Sequence, residues 1–164
     1  MKSLHRTLQL LLAVSLLFCS QAFAQDISRP SDVLKGISED VTKELRLHRP
    51  GDPFPKAAMD KADQQMEAYC QGKTGIFTFI VSEVDEKSSD KGSILISAKE
   101  TSERLFGKSV AVVQGVVLDA SQKPQVAKIK KGTRITATGA PWAVLSWRTD
   151  HYELSFWLDK ASLK

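Results

Sequence analysis

The residues that could do chemistry in this 164-residue chain are few, and they form no catalytic pattern. His48, Cys70 and His151 are too widely separated for the short ligand spacings of a metal site. Asp150 and Ser146 stand near His151 in sequence, but a catalytic triad is defined by geometry and not by sequence distance. The sequence therefore indicates no catalytic residue, no metal site and no cofactor.

An enzymatic alternative remains open through two of these residues. Cys70 would be the nucleophile of a thiol enzyme, and His151 would be the base of a small hydrolase. Neither basic residues nor a histidine cluster around Cys70 in the sequence, as an activated thiol requires. We expect Cys70 to be a small apolar residue at a helix end and His151 to lie in a solvated turn, which favours a protein that is not an enzyme.

A basic connection and three tryptophans are the strongest candidates for ligand binding. Five cations and no acid occur in the twelve residues from Lys123 to Arg134. Exposed aromatic rings beside cations are how some β-folds hold single strands or sugars. The candidate binding residues are Lys128, Lys130, Lys131, Arg134, Trp142 and Trp157. Trp147 is the third tryptophan, and two of the three could instead pack against N-terminal helices.

The first 24 residues have the pattern of a secretory signal peptide. Lys2 and Arg6 precede the apolar run Leu8–Phe18, and Ala24 ends a small-x-small motif. We therefore expect residues 1–24 to be removed and the protein to be periplasmic or secreted. The remaining chain would hold a single cysteine, so no internal disulfide is expected, and no later apolar run is long enough to cross a membrane.

Charge alone does not indicate the partner. The chain has 23 basic and 19 acidic residues, a net charge of +4. Without Lys2 and Arg6 the balance is 21 against 19, or +2. Such a small excess does not predict nucleic-acid binding from bulk charge.

Two helices are predicted in the N-terminal segment, residues 25–71. Apolar residues recur every four positions from Ser31 to Arg49, and a second helix starts at Pro55 and stops before Gly72. The apolar stripe of the second helix consists of Met59, Ala62, Met66 and Cys70. At this spacing the stripe is more typical of a core face than of a binding surface.

Five strands are predicted after Lys73, where the apolar period changes to two. They are Gly75–Val84, Ser93–Ala98, Ser109–Leu118, Thr133–Thr138 with an extension over Trp142–Trp147, and Tyr152–Leu158. We interpret Thr101–Lys108 as a connection without a strand. Phe156 falls on the core side of its strand, so Trp157 should point outward.

Three stretches carry a family resemblance: Gly72–Phe79, Val110–Val113 and, most clearly, Ile129–Gly139. The chain from about residue 72 to residue 158 resembles small exported bacterial OB-fold domains of the tRNA-anticodon-binding type. The resemblance implies an α+β fold, with two N-terminal helices followed by a five-stranded OB-like β-barrel in residues 72–164. OB-folds host unrelated activities, so it implies no functional residue.

A bacterial SH3-like domain is the alternative, because Lys130–Thr133, Trp142 and Phe156–Leu158 resemble that family too. Such a module would bind cell-wall peptide, but Gly75–Val84 is long for its strands. We therefore expect a non-enzymatic exported binding or adaptor module that uses a basic and aromatic barrel surface. Its partner would be an acidic ligand, a cell-wall component or an envelope protein.

Overall fold

The computed structural model describes residues 26–85 and 93–164. The predicted signal peptide and the predicted turn at 86–92 lie outside these residues. The α-helices are α1 (Glu39–Leu47), α2 (Lys56–Cys70) and α3 (Lys123–Val126), and the 3-10 helices are Pro30–Gly36 and Ala120–Gln122. The strands are β1 (Gly75–Asp85), β2 (Ser93–Ala98), β3 (Thr101–Leu105), β4 (Lys108–Asp119), β5 (Arg134–Arg148) and β6 (His151–Leu163). No helix within these two ranges is long and apolar enough to cross a membrane.

The strands form one sheet in which five of the six strands pair in a closed series. The order is β2-β1-β5-β6-β4-β3, and β2 also pairs with β4, so β3 alone lies outside the closed series. β4 and β6 are parallel, and the other strand pairs are antiparallel. This Greek-key order confirms an OB-like α+β fold. The 11 residues of β1 also agree with the OB-like prediction rather than the SH3-like one.

One hydrophobic core joins the sheet and the N-terminal helices. Strand β6 contributes Tyr152, Leu154, Phe156 and Leu158, all fully buried. Helix α2 contributes Met59, Ala62, Met66 and Cys70. The methionine stripe is therefore a core face, as predicted. Burial of each large apolar side chain stabilises the fold by about 2 kcal/mol.

The single helix predicted over Ser31–Arg49 is wrong, because the segment is broken between the 3-10 helix and α1. At the break, the Ser38 amide donates a hydrogen bond to the Gln65 side chain of α2 at 2.8 Å. The Gln65 amide group donates in turn to the Ser38 hydroxyl at 3.1 Å. A residue of α2 thus replaces the hydrogen bond that a continuous helix would make, which local periodicity does not reveal.

The prediction of five strands is also wrong, because residues 101–105 form β3. This strand reaches β4 through a two-residue turn at Phe106 and Gly107, whose φ angles are +53° and +75°. Two left-handed residues are typical of a type I′ hairpin turn, which usually has Asn or Asp first. Phenylalanine in that place hides the turn from sequence analysis.

Strand β5 changes its neighbour at Gly139. Its first part, Arg134–Gly139, pairs with β1, whereas residues 137–148 pair with β6. The register against β6 shifts between Thr138 and Ala140. The predicted corner at this position is therefore a β-bulge within one continuous strand, and it bends β5 from one neighbour to the next.

The end of α1 is fastened to the sheet by polar contacts. The Tyr152 hydroxyl donates to the Leu45 carbonyl at 3.0 Å. The Lys108 amine donates to the carbonyls of His48 and Leu45. The His48 ring is buried against Trp147, with 4.5 Å between the ring centroids. Carbonyls at a helix C-terminus have no partner within the helix, and these contacts supply partners.

We predict that Tyr152→Phe lowers the free energy of unfolding by about 1 kcal/mol, because the Leu45 carbonyl loses a buried donor. Urea unfolding followed by circular dichroism measures the loss. Tyr69→Phe is the matched control, since the Tyr69 hydroxyl makes no hydrogen bond to the described residues. Equal stability of the two variants would contradict the fastening role of Tyr152.

Candidate ligand-binding surface

Trp142 of β5 and Trp157 of β6 form a stacked pair on the outer face of the sheet. They are directly opposite each other in the strand register. Their rings lie 6.3 Å apart between centroids, with only 19° between the planes. Trp142 is 41% exposed, which is high for a residue of this size. The pair therefore presents a flat aromatic surface to solvent, as the alternation at Phe156 predicted.

Gly115 of β4 leaves the space that the Trp157 ring occupies, because glycine has no Cβ atom. It is the register partner of Trp157 in the parallel pair. A Cβ atom on Gly115 would collide with the Trp157 ring and with the carbonyl of Ile96. The ring therefore lies across the backbone of β4. A glycine inside a strand often marks such a close approach, so the sequence did contain a signal for this residue.

The predicted basic residues lie at the other end of β5. Lys128, Lys130 and Lys131 are exposed in the connection after α3, and Arg134 is exposed at the first position of β5. Their side chains form no ion pair within residues 26–85 and 93–164. Eight residues separate Arg134 from Trp142, so the two groups are at most about 26 Å apart along an extended strand.

A groove opens near the basic end of this face. Lys131 and Lys99 line it together with Val113 of β4, and its volume is about 580 Å³. Val113 and Gly115 are two residues apart and therefore project to the same side of β4. The groove thus begins about 7 Å along β4 from the place where the Trp157 ring lies. Lys99 and Val113 were missed because their proximity depends on non-local strand pairing.

Trp147 belongs to the core and not to this surface. Its ring packs edge-on against Tyr152, 4.7 Å between centroids, and against the buried His48. One of the three tryptophans therefore packs at the end of an N-terminal helix, and two remain on the outer face. We define the outer-face surface as Trp142, Trp157, Gly115, Val113, Lys99, Lys131 and the neighbouring cations Lys128, Lys130 and Arg134.

The side chains considered for catalysis do not form a catalytic arrangement, because each one is hydrogen-bonded to another group or buried. The His151 ring is 2.7 Å from the Asp150 carboxylate in an exposed turn, whereas the Ser146 hydroxyl donates to the Glu153 carbonyl. Cys70 is buried, and burial raises the pKa of its thiol to about 11. No group of three potential metal-ligating side chains occurs in the described parts of the chain.

Comparisons with known proteins give structural matches only. No protein-family model and no curated protein matches the chain. A Plasmodium falciparum SSB solved with single-stranded DNA is 14% identical, covers 56% of this chain and 91% of its own, and has a TM-score of 0.35. A small single-stranded DNA-binding protein from Mycoplasma pneumoniae is 9% identical, covers 54% of this chain and 90% of its own, and has a TM-score of 0.32.

These matches correct the prediction of an exported adaptor. Both proteins are described as binding single-stranded DNA. Against these descriptions, the predicted tRNA-anticodon-binding type, the periplasmic or secreted location, the adaptor role, the SH3-like cell-wall function and the unspecified acidic ligand are not upheld.

We predict that Gly115→Ala destabilises the protein by about 1–3 kcal/mol, the usual cost of overpacking, and displaces the Trp157 ring. Urea unfolding measures the first effect, and the near-ultraviolet circular dichroism of the stacked tryptophans measures the second. Ser97→Ala, at the register partner of Gly115 on β2, is the control. An unchanged tryptophan spectrum in Gly115→Ala would refute this geometry.

We also predict that Cys70 reacts with iodoacetamide at pH 7 about 100-fold more slowly in the folded protein than after unfolding in guanidinium. The raised pKa leaves little thiolate at neutral pH, and only the thiolate attacks the reagent. Mass spectrometry of timed samples gives both rates. Equally fast labelling of the folded protein would restore the thiol-enzyme alternative.

Proposed function

We propose that this chain is a non-enzymatic protein that binds single-stranded nucleic acid on its outer-face surface. The observation that carries the proposal is the exposed, nearly parallel pair of Trp142 and Trp157 on an OB-like sheet. A groove lined in part by Lys99 and Lys131 reaches Val113, two residues along β4 from the Gly115 that the Trp157 ring covers. These contacts within the chain, and not the likeness to the solved structures, support the proposal.

The aromatic part of the surface suits unpaired bases. Every base has a flat face, so stacking on tryptophan is tolerant of sequence and contributes about 1–3 kcal/mol per base. The 19° between the two rings lets both offer their faces in similar orientations. A paired duplex keeps its bases stacked on each other, whereas a single strand can release them to the protein.

The charged part of the surface suits a linear polyanion. Arg134 and Trp142 are eight positions apart on β5, a path of up to about 26 Å along the strand, and Lys128, Lys130 and Lys131 precede Arg134 in the chain. A single strand several nucleotides long can stack bases on the tryptophans and place phosphates near the cations. OB-type sites of this kind cover about 4–16 nucleotides.

We predict that Trp142→Ala and Trp157→Ala each weaken binding of a twelve-nucleotide oligothymidylate by about tenfold, through the loss of one stacked base. Fluorescence anisotropy of a labelled oligonucleotide measures the affinity. The affinities for oligouridylate of the same length and for a DNA duplex are measured in the same way and compared with it. Phe54→Ala is the matched control, because Phe54 is 54% exposed but lies in the loop before α2. Absence of binding by the unmodified protein would overturn the proposed function.

We predict that the logarithm of the affinity falls with the logarithm of salt concentration with a slope of about −3, as four phosphate contacts on a single strand require. The double variant Lys130→Glu and Lys131→Glu should reduce the slope by about half. The control is Lys43→Glu with Arg46→Glu, which reverses two charges on the exposed side of α1, away from the basic connection. An equal effect of both double variants would show that only net charge matters, and would remove the basic connection from the site.

A further inference from the structure

A second groove adjoins the tryptophan pair on the side of α2. It has a volume of about 800 Å³ and lies between the C-terminal half of α2 and residues 140–144 of β5. Trp142 is one of its walls. Because the same side chain belongs to the outer-face surface, a strand lying on that surface reaches this groove directly.

The β5 edge in this groove has no neighbouring strand among residues 26–85 and 93–164. β1 leaves β5 at Gly139, and beyond that point β5 pairs only with β6. The Leu145 amide instead donates to the Asp63 carboxylate of α2 at 2.8 Å. Hydrogen-bonding directions alternate along an antiparallel strand, so the amide and carbonyl of Ala143 point to the same edge as Leu145.

Polar side chains face this edge from α2. Gln64, Glu67 and Gln71 line the groove and are exposed, and their side chains make no hydrogen bond to the described residues. Lys73 completes the lining, with its amine 4.0 Å from the centroid of the Tyr69 ring. The groove thus combines an aromatic wall, free amide and carboxylate groups and one cation.

We propose that this groove is a base-recognition subsite, which takes one nucleotide of the bound strand and prefers a base with an exocyclic amino group over thymine. The inference rests on the proposed function. Side-chain amides read the amino edge of adenine, and a carboxylate accepts from the amino group of cytosine. Thymine lacks an amino group and presents two carbonyl oxygens beside its single N3–H donor, and the Glu67 carboxylate repels those oxygens. Lys73 contacts the phosphate of the same nucleotide.

The test compares oligothymidylate of twelve nucleotides with a set in which one thymidine at a time is replaced by adenosine or cytidine. We expect replacement at one position of the bound strand to raise the affinity at least about fivefold. Glu67→Gln with Gln71→Ala should abolish this preference and raise the affinity for oligothymidylate, because the carboxylate that repels thymine is lost. Gln125→Ala, an exposed glutamine on α3, should change neither.

The outcomes separate the two proposals. Binding of oligothymidylate that depends on Trp142, with no preference at any position, overturns the subsite and leaves the proposed function standing. A preference that survives Glu67→Gln with Gln71→Ala also overturns the subsite, since the base would then be read elsewhere. Binding of none of the oligonucleotides overturns both proposals.

Discussion

The change of partner by β5 at Gly139 is the constraint on which the rest of the structure depends. At this residue β6 approaches so closely that a Cβ atom would meet the carbonyl of Asp159 and the Ala161 residue. The bulge lets β5 pair with β1 through its first part and with β6 through its second part. Without it, the series of pairings could not close, and Trp142 would not come to lie opposite Trp157.

The same change of partner creates both parts of the proposed binding region. Where β5 pairs with β6, the register brings the two tryptophans together on the outer face. Where β5 has lost β1, its edge faces α2 across a groove. Asp63 satisfies the Leu145 amide there, and burial raises the pKa of this carboxyl, which the hydrogen bond from Leu145 opposes. The helix thus covers part of the open edge, and the remainder lines the groove.

Much of the fold could be predicted because apolar periodicity is a local property. The alternation in β6 identified its buried side, and hence the outward direction of Trp157. The stripe of α2 likewise identified its core face. Each of these predictions needs only neighbouring residues in the sequence, and the observed burial of Phe156 and Met66 agrees with them.

The errors concern properties that distant residues decide. The break before α1 depends on Gln65, 27 residues from Ser38. The grouping of Lys99 and Lys131 beside Val113 depends on which strands pair, and no periodicity reports that. The candidate cations and tryptophans could be named from the sequence, but the position of Trp142 opposite Trp157 could not, because it depends on the register of β5 against β6.

The parallel pairing of β4 with β6 has a consequence for how the chain is made. These partners are separated by the whole of β5 and its preceding connection, and β6 is the last strand of the sheet. A ribosome that has not yet released β6 therefore carries a nascent chain with β4 and β5 exposed along their edges. Such long-range pairing is slow to form, so we expect the sheet to close only once β6 is available to both β4 and β5.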